Sequence, residues 1–166
     1  LNLTSRLTYH MKPLRKERYC PAELLRKTAA GMLNSGEIGE NWELEVEVAP
    51  ELETLQMTGD TALLMRALKN LLGNSVRHNP EGCRIRLKAQ RTENGFCFCV
   101  ADDGPGVPEN VRRITLGQEG KTDQKDRAPH VMGLLVVAQI ARAHSGKLWF
   151  SEDGREVWMS VEGGDK

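Results

Sequence analysis

Two kinds of apolar spacing occur in this chain, and they occupy separate stretches. From Trp42 the order Trp-Glu-Leu-Glu-Val-Glu-Val alternates strictly, which puts Trp42, Leu44, Val46 and Val48 on one face of a half-buried strand and Glu43, Glu45 and Glu47 on the other. Ile85, Leu87 and Ala89 alternate likewise, Glu93-Asn94-Gly95 turns the chain, and Phe96 to Asp102 returns as the second arm of a hairpin. Lys147 to Ser151 and Arg155 to Val161, joined by Glu152-Asp153-Gly154, read as a closing hairpin. Helical patterns fill other stretches. Pro21 fits the first turn of one running through Leu24, Leu25 and Met32 to a stop at Asn34-Ser35-Gly36. Asp60 caps a long one to about Asn79, with Leu64, Ala67, Leu68, Leu71 and Leu72 on its apolar side. Shorter ones run near Glu109 to Leu116 and from about Gly133 to His144. Helices and hairpins segregate instead of alternating, so the expected fold class is α+β: a two-layer α/β sandwich in which helices cover one face of a mixed sheet.

At 166 residues the chain suits one core. Lys plus Arg and Asp plus Glu both total 23, a formal net charge of zero, so there is no basic field of the kind that attracts nucleic acid or an anionic membrane. No apolar run is long enough to span a bilayer, and no charged-then-apolar leader is present. Cys20, Cys83, Cys97 and Cys99 have neither the density of a secreted disulfide scaffold nor paired zinc spacing, which fits a reducing cytosol. Cys97 and Cys99 share one strand face and read as small packing residues.

The first stretch, residues 1 to about 18, sets Leu3, Leu7, Met11 and Leu14 at helical spacing, a narrow seam that calls for a partner helix. Pro13 kinks that helix or ends it early. The break from Glu17 to Pro21 divides the chain into residues 1–19 and 20–166. Opening on Leu1 inside a helical pattern, the sequence reads as part of a longer protein.

Three short segments carry chemistry. On the long helix Asn70, Asn74 and Arg77 stack along one stripe beside the apolar face. Two asparagines one turn apart each cost a few tenths of a kcal/mol relative to alanine. An amide oxygen suits magnesium, which takes one or two protein oxygens and completes its octahedron with water and phosphate. Asp102-Asp103-Gly104-Pro105-Gly106 sits where a strand ends, a place where glycines permit close ligand approach and a carboxylate can accept a hydrogen bond from an exocyclic amine such as adenine's. It also reads as an ordinary turn. Val131-Met132-Gly133-Leu134 enters a helix whose first N–H groups are positioned for phosphate oxygens.

The order of these segments over roughly residues 20 to 162 resembles the ATP-binding domain of sensor histidine kinases, a Bergerat-type fold shared with gyrase-like, Hsp90-like and mismatch-repair ATPases. Asn70-Leu71-Leu72-Gly73-Asn74-Ser75-Val76-Arg77-His78-Asn79 is similar to the family's asparagine box. By that resemblance Asn74 ligates Mg2+, Asn70 supports metal or phosphate, Arg77 meets phosphate and His78 lies near the nucleotide. Val100 to Pro108 resembles the first glycine box, with Asp102 reading adenine and Gly104 and Gly106 shaping the pocket. The second glycine box departs from G-x-G-L-G-L: this chain has Pro129-His130-Val131-Met132-Gly133-Leu134, and only Gly133 keeps its glycine. Ile140 to Gly146 fixes that register through its likeness to I-x-x-x-H-G-G. Met132, Gly133 and Leu134 are the expected contacts there, while Lys121, Lys125 and Arg127 read as a solvated loop or, by the resemblance, as lid cations. His10 is followed by Met11 where the family's phosphoacceptor is followed by an acidic residue, so it reads as a plain helix residue.

The resemblance implies a histidine kinase that takes ATP and Mg2+ and transfers the γ-phosphoryl group to a histidine on a dimerisation helix lying before Leu1. Residues 1–19 then end the second helix of that hairpin. It further implies a homodimer, a response regulator as partner, and a cytoplasmic domain of a membrane-anchored protein. The missing glycines raise an alternative, a degenerate module of the same fold that dimerises or binds partners without turnover. A serine kinase of the anti-sigma type is a second alternative, which the seam from Leu3 to Leu14 disfavours.

Overall fold

Strand pairing and helix capping place the elements of this computed structural model, which describes residues 13–118 and 129–163. In chain order they are β1 (Glu17–Tyr19), α1 (Pro21–Ser35), β2 (Trp42–Val48), a 3-10 turn (Pro50–Glu53), β3 (Met57–Gly59), α2 (Thr61–His78), β4 (Cys83–Thr92), β5 (Gly95–Asp102), α3 (Glu109–Thr115), α4 (Pro129–Ala143), β6 (Leu148–Phe150) and β7 (Glu156–Glu162). The main sheet has five strands in the order β2-β4-β5-β7-β6. β2 lies parallel to β4, and the other neighbours are antiparallel. The sheet is therefore mixed, and both hairpins form where the turn residues put them.

Register decides what the two faces do. Leu87 faces Val100, which faces Val157, and Ala89 faces Phe98, which faces Met159. These residues are buried with Leu68, Leu71 and Leu72 of α2, Leu134, Val137 and Ile140 of α4, and Leu25 and Met32 of α1. Each such fully buried side chain contributes about 1.5–3 kcal/mol of transfer free energy. Among the described residues the opposite face carries no helix. There Glu43 pairs with Arg84 at 3.4 Å, and Glu45 and Glu47 with Arg86 at 3.8 and 3.3 Å. These pairs are exposed and individually worth under about 1 kcal/mol. Cys97 and Cys99 are buried on this face, and burial pushes the Cys99 thiol up to about 12. Their packing role is as the alternation implied.

α2 is fastened at both ends. Asp60 Oδ1 accepts the Leu63 N–H at 3.2 Å as the helix cap, and Asp60 Oδ2 accepts the backbone N–H of Arg15 at 3.1 Å. The Asp60 N–H donates to Nε2 of buried His144 at 3.0 Å, and His144 Nδ1–H donates to the Ile140 carbonyl at 2.9 Å. The directions of these two bonds put the donating ring nitrogen at Nδ1. At the far end the Trp42 indole N–H donates to the Asn79 carbonyl at 2.8 Å.

The structure departs from the sequence reading in four places. Residues 13–16 have no regular structure and Glu17–Tyr19 is a strand, so the helix read through residue 18 does not extend past Pro13. Proline removes a donor there, and the following residues gain more by pairing: β1 runs antiparallel to β3, with Tyr19 buried edge-on to Phe96 at 6.5 Å. Leu3, Leu7, His10 and Met11 lie outside the described residues. The β1–β3 pair itself was not read, since three residues give no period. Val46 is 38% exposed because β2 is an edge strand and less is stacked over it. Finally, α4 begins at Pro129, not near Gly133; proline's fixed φ suits a first helical turn, and Val131 extends the buried stripe of Leu134, Leu135 and Ala138.

Candidate functional site

The asparagine stripe of α2 meets α4. Asn70 Nδ2 donates to the Gly133 carbonyl at 3.3 Å, which leaves its amide oxygen as an acceptor. A Cβ on Gly133 would stand at ordinary contact distance, 3.9 Å, from both Asn70 Nδ2 and Asn74 Oδ1, so α4 passes directly over the two amides at this residue. Asn74 is only 8% exposed. Its Oδ1 accepts from Arg77 Nη2 at 2.5 Å, and Arg77 itself is exposed. Gly73 makes room for this: a Cβ there would lie 3.1 Å from Arg77 Nη1.

One correction concerns Gly133. Because α4 starts four residues earlier, its N–H is inside the helix and not among the terminal donors expected to face phosphate. What α4 presents to the stripe is the Gly133 carbonyl and its missing side chain.

The cleft beside the stripe is walled by Leu71, Asn74, Ser75 and His78 of α2, by Val100 and Asp102 of β5, by Pro105, Gly106 and Val107, by Leu134 of α4, and by Gly154, Arg155 and Val157. The two aspartates of Asp102-Asp103 separate by strand alternation. Asp102 follows Val100 onto the helix-covered side and enters the cleft, where its Oδ1 accepts the Gly104 N–H at 2.9 Å. Among the described residues no donor bonds the second oxygen of that carboxylate. Asp103 Oδ1 instead accepts the Arg84 N–H at 3.0 Å near the start of β4. Gly104 passes so near Asn79 that a Cβ would sit 2.2 Å from its Oδ1, and Gly106 has φ +87° with Asp153 O 2.5 Å from a Cβ position. Both glycines are steric requirements of this turn.

The cleft encloses about 30 Å³, one water's share of liquid, so its walls must part to admit a nucleobase. A larger open hollow of about 960 Å³ lies on the opposite side of the sheet, lined by Glu45, Arg84, Arg86 and others and sharing Asp102 and Arg155 with the cleft. Its Arg84 and Arg86 are already matched by the glutamates of β2, and Ala101 is the one apolar side chain among its lining residues, so size alone does not mark the site.

Asn70, Asn74, Gly133, His78, Asp102, Gly106 and Leu134 thus come together. Gly104 shapes the turn from outside the cleft. Met132 packs against the core without lining the cleft. Lys121, Lys125 and Arg127 lie outside the described residues. Sequence reasoning missed Gly154, Arg155 and Val157, which reach the cleft only because Val157 pairs with Val100. Among the described residues no three His, Cys, Asp or Glu side chains gather as a metal cage. The donors present are amide oxygens, which fit a hard cation that keeps most of its shell as water and phosphate.

A family described as histidine kinase-, DNA gyrase B- and HSP90-like ATPase matches residues 59–163, from just before the α2 cap to the end of β7. The chain belongs to this ATPase family. Curated relatives of the domain are sensor kinases. The signal transduction histidine-protein kinase/phosphatase MprB of Mycobacterium sp. (strain KMS) is 34% identical over 95 residues, 56% of this chain and 18% of MprB. The adaptive-response sensory kinase SasA of Thermosynechococcus vestitus is 35% identical over 94 residues, 55% of this chain and 24% of SasA. The chain therefore spans about a fifth of the length of these relatives. Among solved structures, full-length ShkA in complex with AMPPNP superposes with TM-score 0.75 at 25% identity, covering 98% of this chain and 34% of ShkA. The mycobacterial sensor histidine kinase MprB superposes with TM-score 0.68 at 23% identity, over 89% and 97% of the two chains. The five-stranded mixed sheet with its helices is the fold of histidine kinase ATP-binding domains. Among the described residues no helix of this ATPase-family domain is long and apolar enough to cross a membrane.

Proposed function

We propose that this domain binds ATP with Mg2+ and presents its γ-phosphoryl group to a histidine on a dimerisation helix outside this chain, as the catalytic part of a two-component sensor kinase. The observation that carries the reading is the meeting of Asn70 and Asn74 with Gly133, across a cleft from Asp102. The free oxygen of Asp102 accepts the exocyclic N–H of adenine, while Leu71, Val100, Leu134 and Val157 give the base apolar walls. Bound Mg·ATP supplies the electrophilic phosphorus and neutralises charge between its phosphates. Asn74 Oδ1 would be the protein ligand of the metal, a role that requires Arg77 to release it. The freed guanidinium then meets phosphate oxygens, for which its forked donors are suited. Phosphoryl transfer asks mainly for positioning and charge neutralisation. Gly73 places no carboxylate beside Asn74 to activate water, which favours transfer to histidine over hydrolysis.

In the whole protein the domain works as a homodimer with its own phosphoacceptor helices and a response regulator, on the cytoplasmic side of a membrane-anchored receptor. Residues 1–19 lead in from the hairpin and 20–166 form the catalytic unit. One observation favours the second reading, a binding module without turnover: α4 is already helical at Pro129, where the family's glycines would keep the chain free to fold over phosphates. Calorimetric titration with AMP-PNP, with and without Mg2+, tests the nucleotide site. A longer chain carrying both hairpin helices tests transfer. Phosphohistidine formation supports the kinase; bound nucleotide with no phosphohistidine supports the binding module.

A further inference from the structure

Two backbone segments that are distant in sequence form the outer wall of the cleft: Pro105 to Val107 and Gly154 to Arg155. One side chain that does not line the cleft ties the first to the turn that leads into the second. Arg112, on α3, donates from Nε to the Val107 carbonyl at 3.1 Å and from Nη1 to the carbonyls of Ser151 and Glu152 at 3.4 and 2.9 Å. The segments also touch directly, the Val107 N–H donating to the Gly154 carbonyl at 2.8 Å. Gly154, at φ +73°, makes the approach possible, since a Cβ there would lie 2.4 Å from Val107 O and 3.2 Å from Arg112 Nε. A guanidinium is the one side chain with enough donors, fixed in a plane, to collect three carbonyls from two segments. Nothing acidic competes for it among these contacts, so its charge is spent on backbone carbonyls.

We propose that Arg112 is a positioning residue for nucleotide recognition, a clamp that sets the width of the base pocket without touching the ligand. This rests on the nucleotide reading above. α3 also begins the connection that leads toward α4, so the clamp ties the start of that connection to the β6–β7 turn. Because the clamped wall faces the base and not the phosphates, its loss acts on adenosine and on the triphosphate form alike.

The test compares Arg112→Met, which keeps the side chain's length, with Arg112→Lys, which keeps the charge and can reach one carbonyl. Adenosine and Mg·AMP-PNP are titrated into each folded variant. Arg112→Met should weaken both ligands by the same factor, about tenfold, the effect of one lost charge-assisted hydrogen bond, and Arg112→Lys should recover part of it. Unchanged affinity, or a loss confined to Mg·AMP-PNP, overturns the proposal. Amide hydrogen exchange gives a readout that needs no ligand. The Val107 N–H should exchange faster in Arg112→Met while amides in α2 keep their protection. Equal Val107 protection in parent and variant overturns the clamp even if the parent binds no nucleotide, and absence of binding to a parent with a working clamp overturns the nucleotide reading instead.

Discussion

Replacing Asn74 by alanine separates the metal from the base. Asn74 sits on α2 with 8% of its surface exposed, and its Oδ1 accepts from the exposed Arg77. Truncation removes that i,i+3 contact but leaves Arg77 free to be solvated, and alanine is the better helix former by up to about 0.7 kcal/mol. The two effects nearly cancel, so the thermal midpoint should move by no more than a few degrees, on the scale of about 4–8 °C per kcal/mol for a small domain. Binding should change far more. A metal ligand or charge-assisted bond of this kind is worth about 1.5–3 kcal/mol, which corresponds to roughly 10- to 100-fold in affinity. Calorimetry should therefore find adenosine binding unaltered in Asn74→Ala, while the gain that Mg2+ gives AMP-PNP disappears. If the variant binds Mg·AMP-PNP as tightly as the parent, Asn74 is not the metal ligand and the functional reading of the stripe fails.

Other outcomes follow from the same geometry. Asp102→Asn presents an amide whose orientation must serve both the Gly104 N–H and the base; adenosine affinity should fall about tenfold or more by loss of a charge-assisted acceptor, and equal adenosine affinity in variant and parent would reject the assignment. Asp60→Ala removes the cap of α2 and the acceptor for the Arg15 N–H, and should lower stability by about 0.5–2 kcal/mol from the cap alone; a denaturation midpoint equal to the parent's counts against the fastening described above. Burial raises the Cys83 thiol to about 11 and the Cys99 thiol to about 12 from a starting value of 9.0. The folded state thus holds these protons longer than the unfolded chain, so their contribution is complete below about pH 9 and is lost as pH rises through the folded values. Urea midpoints measured between pH 8 and 11 should fall less steeply in Cys83→Ala than in the parent; parallel slopes would remove Cys83 from the account.

What could be read in advance depended on how many residues carry a pattern. Seven alternating residues announce β2, and eighteen residues of α2 announce a helix whose polar stripe holds Asn70, Asn74 and Arg77. β1 and β3 have three residues each, too few for a period, and what stabilises them is a partner about forty positions away and the burial of Tyr19 on Phe96. Asp102 was legible as a strand-end carboxylate, and the division of labour with Asp103 follows from alternation past Val100. The far wall of the cleft was not legible, because Gly154 and Arg155 look like any hairpin turn until the pairing of β5 with β7 sets them beside Gly106. The start of α4 was misplaced by treating Gly133 as a boundary when Pro129 and the buried stripe from Val131 already favour helix.

Asp60 joins three parts of the chain at one residue: the irregular segment at Arg15, the first turn of α2, and, through His144, the end of α4. The residue that caps α2 is thus also where the segment ahead of α1 and the end of α4 are tied, so a substitution that frees any one of these three bonds loosens the first turn of the helix that carries Asn70 and Asn74.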